Sequence, residues 1–406
     1  MRSLNLSDYF VGVAAKRLSA VETDTNTSHQ HEFNGINGFK RILGELHDPV
    51  RYPTRLIYVS DDADEAVVDD RTLTWYDSRA NHPTRSEYRL YFPTCQPMEM
   101  AAAGDLLVLG LRPDRTLLAV IAMNGSTVEN QLLWLFDLDA AELDRHYIVR
   151  SEVEVGSRTS FAEKLILEAL GVEIDDRDEM FLEEMLRRFN GRFPSTGEFS
   201  QYARSTLQSV LPLDDPDSAL VEWIDREETL FRTLEKHFVD ERLKFGFDDT
   251  DSFIAYSLSV HNRRKSRAGR ALENHLATIF ETFDLRFDHG KETENRAKPD
   301  FLFPGASQYH DEDFPVDLLT VLGAKSTCKD RWRQVLSEAA KIRQKHLFTL
   351  EPGISENQTN EMRANDLQLI VPATLHPTFS PAQQEWLGSL RSFIDTVQQK
   401  QRKAFP

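Results

Sequence analysis

Two apolar runs near the C-terminal end each carry a charged residue at one tip. Pro299-Asp300 opens the first (Phe301, Leu302, Phe303), and Lys325 closes the second (Val316, Leu318, Leu319, Val321, Leu322), 25 positions after the aspartate. Such runs predict two adjacent strands that bring one acid and one amine to a common point. Glu338 lies 13 positions further on, where Trp332, Val335, Leu336, Ala339 and Ile342 recur at helical spacing. The spacing predicts a helix that carries Glu338 beside the strands.

Those three residue types suit hydrolysis of a phosphodiester. A hard divalent cation, here Mg2+, neutralises the phosphate and lowers the pKa of a bound water, and carboxylate oxygens such as those of Asp300 and Glu338 hold it. The ammonium of Lys325 is suited to orient or deprotonate the attacking water, because its stem is flexible and its pKa shifts readily. The spacing alone also allows a plainer reading, in which Pro-Asp starts a turn, Lys325 ends an edge strand and Glu338 sits on a solvated face.

Two basic stretches point to nucleic acid. Lys329, Asp330 and Arg331 follow directly on the second run, and such side chains read base edges, Arg or Lys at guanine and Asp at the cytosine amino group. Upstream, HNRRKSRAGR holds Arg263, Arg264, Lys265, Arg267 and Arg270 with no acid, in a chain of formal charge −18. That makes it a candidate for contacting the DNA backbone. The negative total does not exclude this, since screening confines charge effects to roughly 8 Å.

The run from Asn262 to Pro372 (NRRKSRAGRALENHL, KPDFLFP, KSTCKDRWRQVLSEA, KIRQKHLFTL, LQLIVP) closely resembles the catalytic domain of the EcoRII-type restriction endonucleases. The resemblance implies an α/β core of the PD-(D/E)XK nuclease kind, with Asp300, Lys325 and Glu338 as its catalytic set. It adds Glu273 as a further acid near the metal and makes Lys329, Asp330 and Arg331 the reader of the outer C:G pairs. Double-stranded CCWGG is then the expected substrate, and a cognate DNA cytosine methyltransferase the functional partner in the same restriction-modification system. Related enzymes flip the central base into an aromatic and arginine pocket, for which Trp223 and Arg226 are the candidates; the alternative is that Trp223 is core.

Residues from Tyr9 to about Tyr147 form short apolar runs between turn signals, which predicts a mainly β domain. Basic residues gather at Lys16 and Arg17 and around Arg79, Arg85 and Arg89. YFVGVAAKRLSAVETDTNTSHQH and YDSRANHPTRSEYRLYF resemble, more weakly, the effector domain of the same family, a DNA-binding pseudobarrel of the type found in plant auxin-response transcription factors. The resemblance puts His29 in one DNA-gripping arm and Arg85, Glu87 and Arg89 in the other. Tyr88 stands where the family has a basic residue, which weakens that arm's grip on phosphate.

Length allows two domains. The expected division is residues 1–172 for DNA recognition, an acidic linker at 173–190 with little to form a core, and the nuclease at 191–406. Two distant cysteines, Cys95 and Cys328, argue against a disulfide framework or a cysteine zinc site. No run is long enough to span a membrane and the N-terminus lacks a signal-peptide pattern, so a cytoplasmic protein is expected. Homodimer and monomer both remain open, as does one competing function, a DNA-binding regulator with an inactive nuclease domain.

Overall fold

The computed structural model describes residues 6–24, 30–61, 66–82, 84–138, 149–150, 161–172, 177–328 and 331–405. His29, Lys329 and Asp330 lie outside these. The chain divides into two compact units, one built from residues 2–174 and the other from residues 175–377 and 381–406.

The first unit is mainly β. Its strands are β1 (Gly12–Arg17), β2 (Glu32–Asn34), β3 (Val50–Val59), β4 (Val67–Asp77), β5 (Tyr88–Tyr91), β6 (Leu106–Leu111), β7 (Leu117–Ala122) and β8 (Val149–Arg150). They form one sheet in the order β2-β5-β4-β3-β7-β6-β1-β8, antiparallel except where β3 meets β7. Successive side chains on a strand face opposite ways. Accordingly Leu56, Leu107 and Ala14 join one apolar cluster while Ile57, Val108 and Val13 join another.

The second unit begins earlier than its acidic composition suggested. Asp178 is buried and pairs with Arg226, and the helix Leu182–Arg188 sends Met185 into a cluster with Phe199, Tyr202, Leu230 and Phe231. Residues 178–189 therefore belong to this unit and are not a linker. The acidic residues concealed an apolar stripe of Leu182, Met185, Leu186 and Phe189 at helical spacing. Two long helices follow, Pro216–Phe245 and Thr250–Thr282. The second runs straight through HNRRKSRAGR.

The five-stranded sheet of this unit has the order β13-β12-β11-β10-β9, from β9 (Asp288–His289), β10 (Phe301–Phe303), β11 (Thr320–Lys325), β12 (Lys345–Thr349) and β13 (Leu367–Ile370). Strands β9, β10 and β11 pair antiparallel, and β11, β12 and β13 parallel. Helices precede, interrupt and follow the strands, as the sequence predicts for an α/β unit. Phe280 of the second long helix meets Phe301 and Phe303 edge-on, both at 5.2 Å, which fixes β10 under that helix. On β11, a Cβ added to Gly323 would stand 2.6 Å from a methyl of Val335. Glycine there lets the short helix Trp332–Leu336 lie directly on the strand that ends in Lys325.

Candidate active site

The register of β10 and β11, with Phe301 opposite Leu322, sets Asp300 at the head of one strand beside Lys325 at the end of the other. The Lys325 ammonium donates to Asp300 Oδ2 at 2.7 Å, and the Ala324 amide donates to the same oxygen at 2.6 Å. Both side chains are mostly shielded, Lys325 being 13% and Asp300 16% exposed. The acid and amine expected from the two apolar runs do meet.

Glu338 reaches this point by a different route from the one its spacing suggests. The helix Trp332–Leu336 ends before it, and the amide of Glu338 bonds back to the Val335 carbonyl at 3.2 Å in a closing turn. The apolar positions Ala339 and Ile342 are buried beyond the helix, which is why the periodicity overran it. Glu338 Oε2 is buried with no hydrogen-bond partner. Burial and the nearby charge of Asp300 push its carboxyl up to about 7, against the pull of Lys325 and Lys345.

Glu273, on the second long helix, contacts His289 at 2.9 Å. His289 pairs in register with Phe301, next to Asp300. The bond to Glu273, reinforced by the charge of Asp300, raises the imidazole above its usual pKa. Sequence reasoning missed His289; its only signal was a histidine at the end of a short strand just upstream of Pro-Asp. It also missed Lys345, whose buried ammonium bonds the Ile342 carbonyl at 2.8 Å and feels the charge of Glu338.

Tyr309 is fully buried, and burial with a bond to Glu294 raises its phenol further above neutrality, which suits structure and not nucleophilic attack.

Among the described residues no three His, Cys, Asp or Glu side chains cluster as a ready-made metal cage. A carboxylate pair with one buried, unpartnered oxygen fits Mg2+ nonetheless, because that ion keeps several waters and takes one or two carboxylates plus substrate phosphate.

The basic run fares unevenly. Arg267 is buried, paired with Glu227 and Glu228 and laid over the Phe231 ring, so it is unavailable to phosphate. Arg264 pairs with Glu235 at 2.6 Å, and Arg263 covers the Phe193 ring at 4.3 Å. Lys265 and Arg270 are exposed, as is Arg331. A helix turns its residues through 3.6 per turn, so five close cations cannot share one face.

The flipped-base pocket is not open in this structure. Arg226 is 3% exposed, held by Asp178 and Thr206, each at 2.8 Å, against the Phe181 ring. Trp223 is buried beside His275, their ring centroids 5.7 Å apart. Both side chains serve the helical core.

In the first unit Lys16 is buried in a pair with Glu22, and Arg17 is tied to Glu129 and to the Gly104 carbonyl. These two stabilise the sheet and are withdrawn from DNA. Tyr88 is no surface departure either: it is buried, stacked on Trp75, and donates to the Leu46 carbonyl at 3.1 Å. Its neighbours Glu87 and Arg89 point to the other face, as strand alternation requires. There Glu87 pairs with both Arg79 and Arg89. These residues, with Gln30 and His31, line an open hollow of about 370 Å³, while Arg85 is exposed nearby in sequence.

A family model described as "EcoRII C terminal" matches residues 231–394. The Type II restriction enzyme EcoRII of Escherichia coli is 34% identical over 397 residues, which covers 95% of this chain and 93% of that protein. Among solved structures, metal-depleted Ecl18kI in complex with uncleaved, modified DNA is similar at TM-score 0.46 and 17% identity, covering 57% of this chain and 87% of that one. The restriction endonuclease PspGI in its substrate DNA complex is similar at TM-score 0.43 and 16% identity, covering 52% and 94%. With one residue in three shared along nearly its whole length, the chain belongs to the EcoRII family of type II restriction endonucleases.

Proposed function

We propose that this restriction endonuclease cuts both strands of duplex DNA at a CCWGG-like sequence, with Mg2+ held by Asp300 and Glu338. The observation that carries the reading is the meeting of Asp300 and Lys325, together with the buried, unpartnered Oε2 of Glu338. When bound, the cation neutralises the scissile phosphate and acidifies a water. Lys325, held at Asp300 Oδ2, would orient the attacking water, and the Asp300 and Glu338 carboxylates would hold the cation. Glu273, kept in place by His289, is the additional acid of the centre.

Arg331, with Lys329 and Asp330, reads the outer base pairs, and Lys265 and Arg270 contact the backbone. The first unit is a second DNA reader of the auxin-response pseudobarrel type. Its reading face is the hollow around Arg79, Glu87 and Arg89, and Arg85 and His29 contribute to the same recognition. A cytosine methyltransferase of the same specificity protects the host DNA.

Incubation with a plasmid bearing CCWGG sites, with and without Mg2+, and sequencing of the ends tests this. Mg2+-dependent cuts at that sequence support it; a duplex bound yet left intact in Mg2+ favours the regulator.

A further inference from the structure

The turn that presents Glu338 is held by two side chains that the proposed chemistry does not use. Ala339, the next residue, has φ +49°. A residue with a Cβ is disfavoured in that left-handed region and persists there when its surroundings over-determine it. Here they do. The amide of Ala340 donates to Glu294 Oε2 at 3.2 Å, and the amide of Lys341 donates to the Tyr309 hydroxyl at 3.3 Å. That hydroxyl in turn donates to the Glu294 carboxylate, 2.5 and 2.6 Å from its two oxygens. The Lys341 ammonium closes the circuit on the Tyr309 carbonyl at 2.9 Å.

The origin of the two side chains gives the arrangement its meaning. Glu294 lies in the turn Glu294–Arg296 before Asp300, and Tyr309 in the helix Ala306–His310 after β10. The segment from 294 to 309 thus carries Asp300 in its middle and grips the Glu338 turn from both of its ends. The buried Tyr309 and the half-buried Glu294 converge on two successive amides, those of the second and third residues after Glu338.

We propose that Tyr309 and Glu294 are positioning residues, which clamp the Glu338 turn to the segment presenting Asp300 and so set the spacing of the two carboxylates for a divalent cation. The inference rests on the reading that Asp300 and Glu338 hold that cation.

Tyr309→Phe keeps the ring and removes the hydroxyl. In the full-length protein, Ca2+ titrated calorimetrically into the complex with a CCWGG duplex reads cation affinity without cleavage. Duplex affinity in the absence of cation is the control. The clamp predicts Ca2+ affinity reduced about tenfold or more, a matching rise in the Mg2+ concentration for half-maximal cutting, and cation-free duplex affinity within about twofold of wild type. Wild-type Ca2+ affinity in the variant, or duplex affinity falling in the same proportion, overturns it. Should Tyr309→Phe fail to fold, Glu294→Gln, which keeps the shape and one acceptor oxygen, must show the same split at smaller size, and an unchanged Ca2+ affinity there has the same meaning. Glu338→Gln separates the two layers: if it binds Ca2+ as wild type does, the carboxylate assignment fails before the clamp is at issue.

Discussion

At the scale of single residues, Glu338 is a carboxylate whose surroundings oppose its charge. Its carboxyl is raised from the usual 4.5 to about 7 by burial and by Asp300. Between those values the folded protein binds a proton that the unfolded chain has released, so cation-free stability must fall as pH rises from about 4.5 to 7 and then level off. Urea melts across that range should show the decline in the wild type and a shallower slope in Glu338→Gln; a wild type that gains stability relative to the variant would contradict the assignment. The sequence made Asp300 and Lys325 legible because each sits at the tip of an apolar run. It hid His289, Glu294 and Tyr309, whose bonds to the site region span 15 to 46 positions and leave no local pattern. Lys16 and Arg267 misled for the converse reason: composition counts a charge without showing the buried glutamate that neutralises it.

Among the elements, the helix Leu390–Ala404 shows how much a buried acid can organise. Asp217, 3% exposed in the first turn of the helix Pro216–Phe245, accepts from the amides of Ala373 (3.0 Å), Leu390 (2.8 Å) and Arg391 (2.9 Å). With Ser389 Oγ taking the Ser392 amide, Asp217 satisfies the orphan donors of Leu390 and Arg391 at the start of the last helix. Asp217→Ala strands three amides and should lower stability by about 2–4 kcal/mol, read from urea melts; a loss under about 1 kcal/mol would mean water replaces the carboxylate at once. The sequence predicted strands and long helices well where the apolar period was clean. It failed at Glu338, where buried Ala339 and Ile342 continued a helical rhythm past the real end at Leu336, and at 178–189, where acidic residues masked an amphipathic helix.

At the scale of the whole molecule, a net charge of −18 is compatible with a restriction endonuclease because screening makes charge act locally, over roughly 8 Å, and not as a total. The position of Asp178 bears on how the chain can be divided. A fragment of residues 175–406 keeps the Asp178–Arg226 pair and Met185, whereas one starting at Gly191 leaves the Arg226 guanidinium buried without its acid. The shorter fragment should be less stable by about 3–5 kcal/mol, the usual cost of breaking a buried pair, and equal stability of the two by urea melts would restore 173–190 as a linker. The central claim, a cation-dependent cut made at Asp300, is tested most directly by Asp300→Ala in the full-length protein, measuring plasmid cleavage in Mg2+ alongside binding to a CCWGG duplex in Ca2+. The variant should bind within a few-fold of wild type and leave the plasmid intact, whereas Mg2+-dependent cutting near the wild-type rate would place the chemistry elsewhere.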